Sequence, residues 1–277
     1  MKADLKKKVN SAIKLLQSIS KANGNKPIEL GYSGGKDSDV ILELAKMSGI
    51  PYRAIYRNTT IDPPGTIKHV QDMGVEIVRP EKTFFHLVEL KGFPSRFARF
   101  CCSELKEYKI EDVVILGIRK EESKKRSDNY KEPTQCRIYK KGEEVEQILP
   151  ILDWSIKDVQ DFIEDRKLKL APMYYREDGT IDYTRRLGCI GCPLASTKQQ
   201  IAEFKQYPKF LRQLLKRGNV WWNAKPRAAA DKCDDIYEYF AHIIQDGGYS
   251  KCVLNKEALF KIDYKQALEN YFNTKLL

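Results

Sequence analysis

Residues 33–38, which read Ser-Gly-Gly-Lys-Asp-Ser, are the stretch of this sequence best suited to chemistry. They follow a short extended run at 27–30 and precede a helical pattern at 40–46, which predicts a strand, a glycine-rich turn and a helix. The first amides of a helix lack internal acceptors, and the helix dipole is positive at that end. Glycines let backbone approach an oxyanion, while serine and lysine add donors and charge. The stretch is therefore predicted to bind phosphate, although its glycine spacing is too short for a Walker loop.

The same six residues resemble the pyrophosphate loop of the adenine nucleotide alpha-hydrolase superfamily. The resemblance implies a doubly wound sheet that binds ATP or an adenylyl sulfate, and many members cleave between the α- and β-phosphates. It implies catalytic roles for Lys36, which would offset charge on pyrophosphate, and for Asp37, a candidate ligand of Mg²⁺. An ordinary strand-to-helix turn would explain the two glycines alone. The residues expected to bind the nucleotide here are Tyr32, Ser33, Gly34, Gly35, Lys36, Asp37 and Ser38.

Two later strand ends carry polar residues that match the same superfamily. Asn58 and Thr59 follow the predicted second strand, on the side where ligands of parallel sheets bind, and resemble a tip that lies near the adenosine. A loop that merely turns the chain is the alternative. Gly117 ends an apolar strand, and Arg119 and Arg126 after it resemble a signature whose arginines contact the phosphate or sulfate end. We therefore expect Gly117 and Arg119 to bind nucleotide. Arg119 and Arg126 are expected to be catalytic, since guanidinium groups match oxyanions.

Four of the seven cysteines form two closely spaced pairs. Cys189 and Cys192 make a C-x-x-C motif with glycines before and within it, so both thiolates can face one centre. Cys101 and Cys102 are adjacent, which suits two irons of a 4Fe-4S cluster better than one metal ion. The two pairs together resemble the cluster-binding pattern of assimilatory adenylyl sulfate reductases. Zinc and unliganded thiols remain alternatives. The remaining cysteines are interpreted as packing or surface thiols: Cys136, Cys233 and Cys252.

The order of the predicted elements indicates an α/β fold with a doubly wound, mostly parallel sheet. Short apolar strands at 52–56, 75–78 and 113–117 alternate with helices. An amphipathic helix over residues 3–22 is predicted to cover this sheet. Residues 127–147 are polar and lack a strong pattern, so they are interpreted as a lid or a hairpin arm.

The 277-residue chain has a net charge of +11, which suits phosphorylated molecules or nucleic acid without choosing between them. No apolar run is long enough to span a bilayer and no signal peptide is evident, so we expect a cytoplasmic protein without a membrane partner. We expect a nucleotide-binding domain over residues 1–193 and a basic helical region over 194–277. Trp221 and Trp222 in that region could stack on bases, or pack in a core.

From about residue 27 to residue 193 the motifs resemble the phosphoadenosine phosphosulfate (PAPS) reductase-like family. The resemblance implies an adenine nucleotide as partner, either ATP or an adenylyl sulfate (APS or PAPS). Sulfonucleotide reductases attack with a thiolate in a C-terminal Glu-Cys-Gly-Leu-His context, which is absent here. An intact pyrophosphate loop instead favours ATP.

Three functions therefore stay open. The favoured one is AMP-forming cleavage of ATP in support of sulfur transfer, with a nucleic acid as acceptor and a sulfur-donor protein, such as a cysteine desulfurase, as partners. The second is a sulfonucleotide reductase that releases sulfite. The third is a nucleic-acid-binding module with a structural metal. The first two require the loop and the four cysteines to share one cleft.

Overall fold

The computed structural model describes residues 1–139, 142–224, 233–246 and 261–276. Within this part of the chain, six strands form one sheet in the order β3-β2-β1-β4-β6-β5. All neighbouring strands are parallel except β5 and β6, which are antiparallel. The predicted fold class is thereby confirmed. The strands are β1 (Ile28–Tyr32), β2 (Tyr52–Arg57), β3 (Glu76–Val78), β4 (Val113–Leu116), β5 (Thr134–Ile138) and β6 (Glu144–Ile148).

Helices connect the strands and continue to the C-terminus. They are α1 (Ala3–Ala22), α2 (Lys36–Ser48), α3 (Thr66–Asp72), α4 (Phe84–Lys91), α5 (Phe100–Leu105), α6 (Lys124–Asn129), α7 (Ile156–Arg166), α8 (Thr197–Gln206), α9 (Pro208–Ala224), α10 (Ile236–Asp246) and α11 (Tyr264–Phe272). Short 3-10 turns occur at Lys120–Glu122 and Pro172–Tyr174. No helix among the described residues combines the length and the apolar character needed to cross a membrane.

The strand order reverses direction next to β1. The chain runs from β1 outward to β2 and β3, and then returns to place β4 on the other side of β1. Gly31 pairs with Leu116, so these two central strands end at the same level. In an open parallel sheet, ligands bind beyond the carboxyl ends of strands at such a reversal. Residues 33–38 after β1 and the segment after β4 therefore flank the position where a ligand is expected.

Two compact units interleave along the sequence. The first unit comprises Met1–Asn58, Asp62–Arg79 and Lys106–Leu187, and it contains the whole sheet. The second comprises Thr59–Ile61, Pro80–Leu105 and Gly188–Leu277. Compactness does not define where a functional domain ends, so the boundary at residue 193 stays a prediction.

Each unit buries its own apolar core. In the first, Leu30 and Ile115 of the central strands are fully buried, as is Ile41 of α2. Helix α1 adds a buried stripe of Leu5, Val9, Ala12 and Leu16, as its amphipathic pattern predicts. In the second unit, aromatic side chains dominate the core; the buried ring of Phe204 contacts those of Phe240 and Phe272, which are also buried.

The polar stretch at 127–147 corresponds to the hairpin arm of the two alternatives. Strands β5 and β6 form an antiparallel pair, and β6 also pairs in parallel with β4. Only Val145, Gln147 and Ile148 of β6 are buried, because alternate residues face opposite sides of the sheet. This alternation with charged residues hides the strand in the sequence.

Candidate nucleotide site and cysteine cluster

The glycine-rich loop leaves the end of β1 and opens directly into α2. Gly34 has a positive φ of 75°, a conformation that L side chains rarely adopt. A Cβ atom there would lie 3.2 Å from both Leu187 and Thr66 side-chain carbons. Gly35 is the N-cap of α2 and provides no side-chain cap. The helix therefore begins with an uncapped, electropositive end.

Some amides of this loop are already engaged. The Gly35 N–H donates to Ser33 Oγ at 3.3 Å, and the Lys36 N–H donates to Tyr174 Oη at 3.2 Å. The amides of Gly34 and Asp37 find no acceptor among the described residues. Both N–H groups lie at the uncapped N-terminus of α2, where backbone amides can donate to an anion.

The serine hydroxyls of the loop stabilise its conformation from inside. Ser38 Oγ donates to the Gly35 carbonyl at 2.7 Å, and Ser33 Oγ donates to Ser38 Oγ at 3.2 Å. Both hydroxyls would have to reorient to donate to a nucleotide. In this geometry they shape the loop.

Two buried cations share the Asp37 carboxylate. Arg119 Nε donates to Asp37 Oδ1 at 2.6 Å, and Lys36 Nζ lies 3.5 Å from Asp37 Oδ2. Their side chains are only 4% and 5% exposed, so solvent contributes little to their charge balance. Lys36 also donates to the Arg185 carbonyl at 3.3 Å, while Arg119 makes a second ion pair with Glu121 at 3.0 Å. Lys36 and Arg119 are thus balanced by two carboxylates, Asp37 on the loop and Glu121 after β4.

Gly117 allows β4 to approach the start of α2. A Cβ atom at this position would lie 2.8 Å from the Asp37 carbonyl oxygen, closer than real Cβ atoms come to backbone. The glycine therefore sets the spacing between the strand end and the loop. This role differs from the direct nucleotide contact that the sequence resemblance implies.

The remaining predicted residues are more scattered. Arg126 in α6 pairs with Glu122 and is partly exposed. Asn58, in the first unit, donates its backbone N–H to the Val78 carbonyl at 3.0 Å. Thr59, in the second unit, accepts a hydrogen bond from Cys189 Sγ at 3.5 Å. Their roles toward a nucleotide stay predictions.

A buried polar network behind the loop escaped the sequence analysis. Tyr32 donates a hydrogen bond to Asp39 Oδ1, and His69 Nε2 lies 3.0 Å from both partners. Burial raises the pKa of Asp39, and burial beside Asp39 raises the pKa of Tyr32. Asp39 Oδ2 is buried and has no hydrogen-bond partner in the described structure. The Tyr32 hydroxyl belongs to this network, and the expected role of Tyr32 in nucleotide binding stays a prediction.

Tyr174 is a further residue at the loop that sequence reasoning missed. Its hydroxyl accepts the Lys36 N–H, and its ring centroid lies 5.6 Å from Lys36 Nζ. Burial raises the pKa of Tyr174 to about 12, so the hydroxyl stays protonated at neutral pH. A single tyrosine far from the loop in sequence offers no spacing signal.

The four paired cysteines lie together in the second unit. Cys101 and Cys102 begin α5, while Cys189 and Cys192 flank a turn in which Gly191 has a φ of 68°. All four are half-buried free thiols. The pKa of Cys101 is raised by its hydrogen bond to Cys102, by burial, and by charge interactions that include Cys189 and Cys192. The thiols are therefore close enough to interact.

Proximity does not yet amount to a preformed metal site. Across the described ranges, no group of three or more His, Cys, Asp or Glu residues is arranged to hold a metal ion. Charges interact over distances much longer than a metal–sulfur bond of about 2.3 Å. The four thiols can therefore influence one another without being close enough to hold a metal ion. The donor set matches the number and type of ligands of an iron–sulfur cluster, but its arrangement would have to tighten.

The other cysteines divide into different classes. Cys136 is exposed on β5. Cys233 is buried and disulfide-bonded, which corrects its interpretation as a packing thiol. Cys252 lies outside the described residues.

Residues 27–195 match the family model described as the phosphoadenosine phosphosulfate reductase domain. The chain belongs to this family. The match contains the glycine-rich loop, both arginines after β4 and all four paired cysteines. Membership in the PAPS reductase domain family confirms the resemblance inferred from the motifs.

Curated relatives extend beyond this chain. Two uncharacterized proteins of Methanocaldococcus jannaschii are each 31% identical, over 202 and 249 residues. The alignments cover 66% and 85% of this chain but only 40% and 56% of the relatives. An uncharacterized 37.8 kDa protein of Escherichia phage 186 is 27% identical over 157 residues, or 49% of this chain and 42% of its own. The chain thus spans about half the length of the curated relatives that it matches.

Two solved structures illustrate a distant similarity. Candida glabrata FMN adenylyltransferase superposes with a TM-score of 0.43 at 15% identity, covering 62% of this chain and 59% of its own. NMN synthetase from Francisella tularensis gives a TM-score of 0.40 at 14% identity, covering 79% and 93%. At these TM-scores the similarities do not establish a shared fold or ligand.

Proposed function

We propose that this PAPS reductase-family protein is an AMP-forming ATP pyrophosphatase that supports sulfur transfer. The observation that carries the proposal is the uncapped N-terminus of α2. There, the free amides of Gly34 and Asp37 and the buried Lys36 ammonium stand beyond the point where the strand order reverses. This arrangement suits a polyphosphate.

In the proposed reaction, an acceptor oxygen attacks the α-phosphorus of ATP. The bond from the α-phosphorus to the bridging oxygen breaks, and pyrophosphate leaves with the bonding electron pair. Lys36, the α2 dipole and the free amides would stabilise the charge that develops on pyrophosphate. Arg119 would either contact the nucleotide or hold Asp37 in position.

Asp37 is the natural candidate to bind Mg²⁺ that arrives with ATP. Mg²⁺ in nucleotide sites is usually held by one or two carboxylates together with phosphate oxygens. Asp37 provides a carboxylate on the loop itself, although Arg119 and Lys36 occupy it in this structure. To bind Mg²⁺, an Asp37 carboxylate oxygen would have to give up its contact with Arg119 or Lys36.

The four thiols of the second unit would hold the 4Fe-4S cluster. Cys101, Cys102, Cys189 and Cys192 provide the right number and kind of ligands. When bound, such a cluster would supply the sulfur chemistry of the site, by positioning or carrying sulfur for the transfer. A sulfur-donor protein, such as a cysteine desulfurase, and a nucleic-acid acceptor are the partners that this function requires.

Family membership favours a second candidate, a sulfonucleotide reductase that acts on APS or PAPS and releases sulfite. This reaction needs a reactive thiol outside the cluster. Cys233 is disulfide-bonded, and the pKa of Cys136 is raised by its hydrogen bond to Glu144, which disfavours the thiolate. These features make the reductase the weaker candidate.

The two functions release different products from anaerobically purified protein. We expect pyrophosphate from ATP and Mg²⁺ in the presence of the correct acceptor, and no sulfite from APS or PAPS. Lys36→Ala should reduce pyrophosphate release at least about 100-fold, since single charge-stabilising donors contribute this much. Lys46→Ala, an exposed lysine at the other end of α2, is the matched control and should leave the rate unchanged. Sulfite without pyrophosphate would replace the proposal with the reductase.

A further inference from the structure

A pocket of 310 Å³ lies within the second unit. It is lined by the segment from Phe93 to Phe97 before α5, by Gly191 and Pro193 of the C-x-x-C turn, and by parts of α8 and α10. Ligand pockets for small molecules measure about 300–1,000 Å³. The pocket therefore has room for one small ring system.

The interior of this pocket is aromatic. Phe84, Phe93, Phe204 and Phe240 line it and are almost completely buried. The rings of Phe93 and Phe240 meet edge to face with centroids 5.1 Å apart, so this wall is rigidly packed. Such a wall favours a flat, unsaturated ring over a flexible chain, because planar rings stack at low entropic cost.

The mouth of the pocket carries one unneutralised cation. Among the described residues, Arg96 is the only charged residue that lines it, and Arg96 is exposed. One Arg96 N–H donates to the Ala195 carbonyl at 3.0 Å, and no carboxylate pairs with it among the described residues. Phe97 beside it is 93% exposed. A ring inside and an anion at the mouth are together the chemistry of a nucleotide.

The surface of the same unit extends this positive charge. Helices α8 and α9 together carry one acidic residue, Glu203, and six basic ones: Lys198, Lys205, Lys209, Arg212, Lys216 and Arg217. Lys209, Arg212 and Lys216 are spaced i, i+3, i+7, so they share one helix face. Within the described chain this face makes no ion pair. It lies opposite the buried leucines of α9, one of which, Leu214, lines the pocket.

We propose that the pocket binds one unstacked base of a single-stranded nucleic acid. Arg96 would contact the adjoining phosphate and Phe97 would stack on the base or its neighbour. The basic face of α9 lies on the side of the helix away from the pocket, about 10 Å across. The phosphates that flank the bound base would follow the surface of α9 to reach this face. Because Gly191 and Pro193 flank Cys192, the bound base would lie beside the C-x-x-C turn. Binding of the base does not depend on the proposed function. Only the identification of this base as the sulfur acceptor rests on that function.

The test is binding of fluorescently labelled single-stranded RNA and DNA to the full-length protein, followed by anisotropy at several salt concentrations. Phe97→Ala should weaken binding about 5- to 100-fold, the range for loss of one base stack. Arg96→Gln should weaken binding and lower the salt slope by about one phosphate contact. Both side chains are exposed, so neither change should prevent folding. The matched controls are Ile138→Ala and Arg79→Gln, exposed residues of the first unit that should bind like wild type.

Three further arms decide the inference. An oligonucleotide of abasic residues should bind more weakly than a base-bearing one, and the Phe97→Ala change should remove that difference. Equal binding of both oligonucleotides, or wild-type affinity in both pocket variants, would overturn the inference. Lys36→Ala should bind oligonucleotides normally while losing pyrophosphate release, so the base pocket and the proposed function can fail separately.

Discussion

Tyr32 and Asp39 are hydrogen-bonded to each other across the base of the glycine-rich loop. Tyr32 is the last residue before the loop and Asp39 the first residue after it, so this single bond ties together both ends of residues 33–38. His69 from α3 contacts both partners. All three side chains are buried. The loop is therefore held from behind by a network that does not face solvent.

Removing the Tyr32 hydroxyl should destabilise the protein. Tyr32→Phe keeps the ring but deprives a buried carboxylate of a donor, which typically costs about 1–3 kcal/mol. Urea unfolding should therefore shift to lower midpoints with an unchanged slope. Tyr52→Phe, a half-exposed tyrosine of the same sheet, should change stability by less than about 0.5 kcal/mol. Equal stability of the two variants would mean that the Tyr32–Asp39 bond contributes nothing.

The network should also make stability depend on pH. Burial raises the pKa of Asp39 above its ordinary value of 3.8, despite His69 and Tyr32, and the nearby Asp37 charge adds to the effect. The folded protein therefore keeps a proton that the unfolded chain has released. The resulting stabilisation is fully present below pH 3.8 and is lost as the pH rises through the folded pKa.

Asp39→Asn tests this dependence because asparagine can still accept from Tyr32 but has no proton to lose. Wild type should lose stability as the pH rises from about 4 towards neutrality, so the stability of the variant relative to wild type should increase over this range. Chemical denaturation of both proteins at several pH values measures the difference. A pH-independent difference would show that Asp39 titrates at the same pH in the folded and unfolded chains.

Gly117→Ala should disturb the nucleotide loop without removing any functional group. The added Cβ would meet the Asp37 carbonyl oxygen at 2.8 Å, and a backbone atom cannot yield cheaply. Overpacking of this kind costs about 1–3 kcal/mol and should displace the start of α2. We expect weaker ATP binding by calorimetry and a lower unfolding midpoint. Gly188→Ala is the control, since a Cβ there meets nothing within 4 Å.

The metal content of the anaerobically purified protein tests the cysteine cluster. We expect about four irons and four sulfides per chain, with visible absorption that Cys101→Ser or Cys192→Ser reduces. Cys136→Ser, an exposed cysteine of the first unit, should retain the full iron content. Stoichiometric zinc without iron, or no metal at all, would contradict the cluster.

The central part of the fold could be predicted from the sequence because the signals there are local. The loop at 33–38, the strand before it and the apolar β4 each combine a composition with a short-range pattern. Strand β6 lacked such a signal, since it alternates charged and buried residues, and its place beside β4 depends on pairing across the sheet. Its neighbour β5 is antiparallel at the edge, where periodicity is weak.

The residues missed at the site were missed for a related reason. Asp39, His69 and Tyr174 are single polar residues whose meaning depends on burial and on partners distant in sequence. A motif search cannot distinguish them from surface residues of the same type. The aromatic pocket likewise combines Phe84 and Phe93 with Phe204 and Phe240, which are more than a hundred residues apart. Such groupings emerge only from tertiary packing.

The attachment of two buried cations to Asp37 has a consequence for selectivity. An incoming anion must compete with a carboxylate that is already in place, and we expect this competition to disfavour a small ion such as sulfate more than a polyphosphate. Under the proposed function, a triphosphate accompanied by Mg²⁺ would do so, because Asp37 would bind the metal while Lys36 and Arg119 would contact phosphate oxygens. Asp37, which offsets the charges of Lys36 and Arg119, would thereby make the loop selective against abundant simple anions.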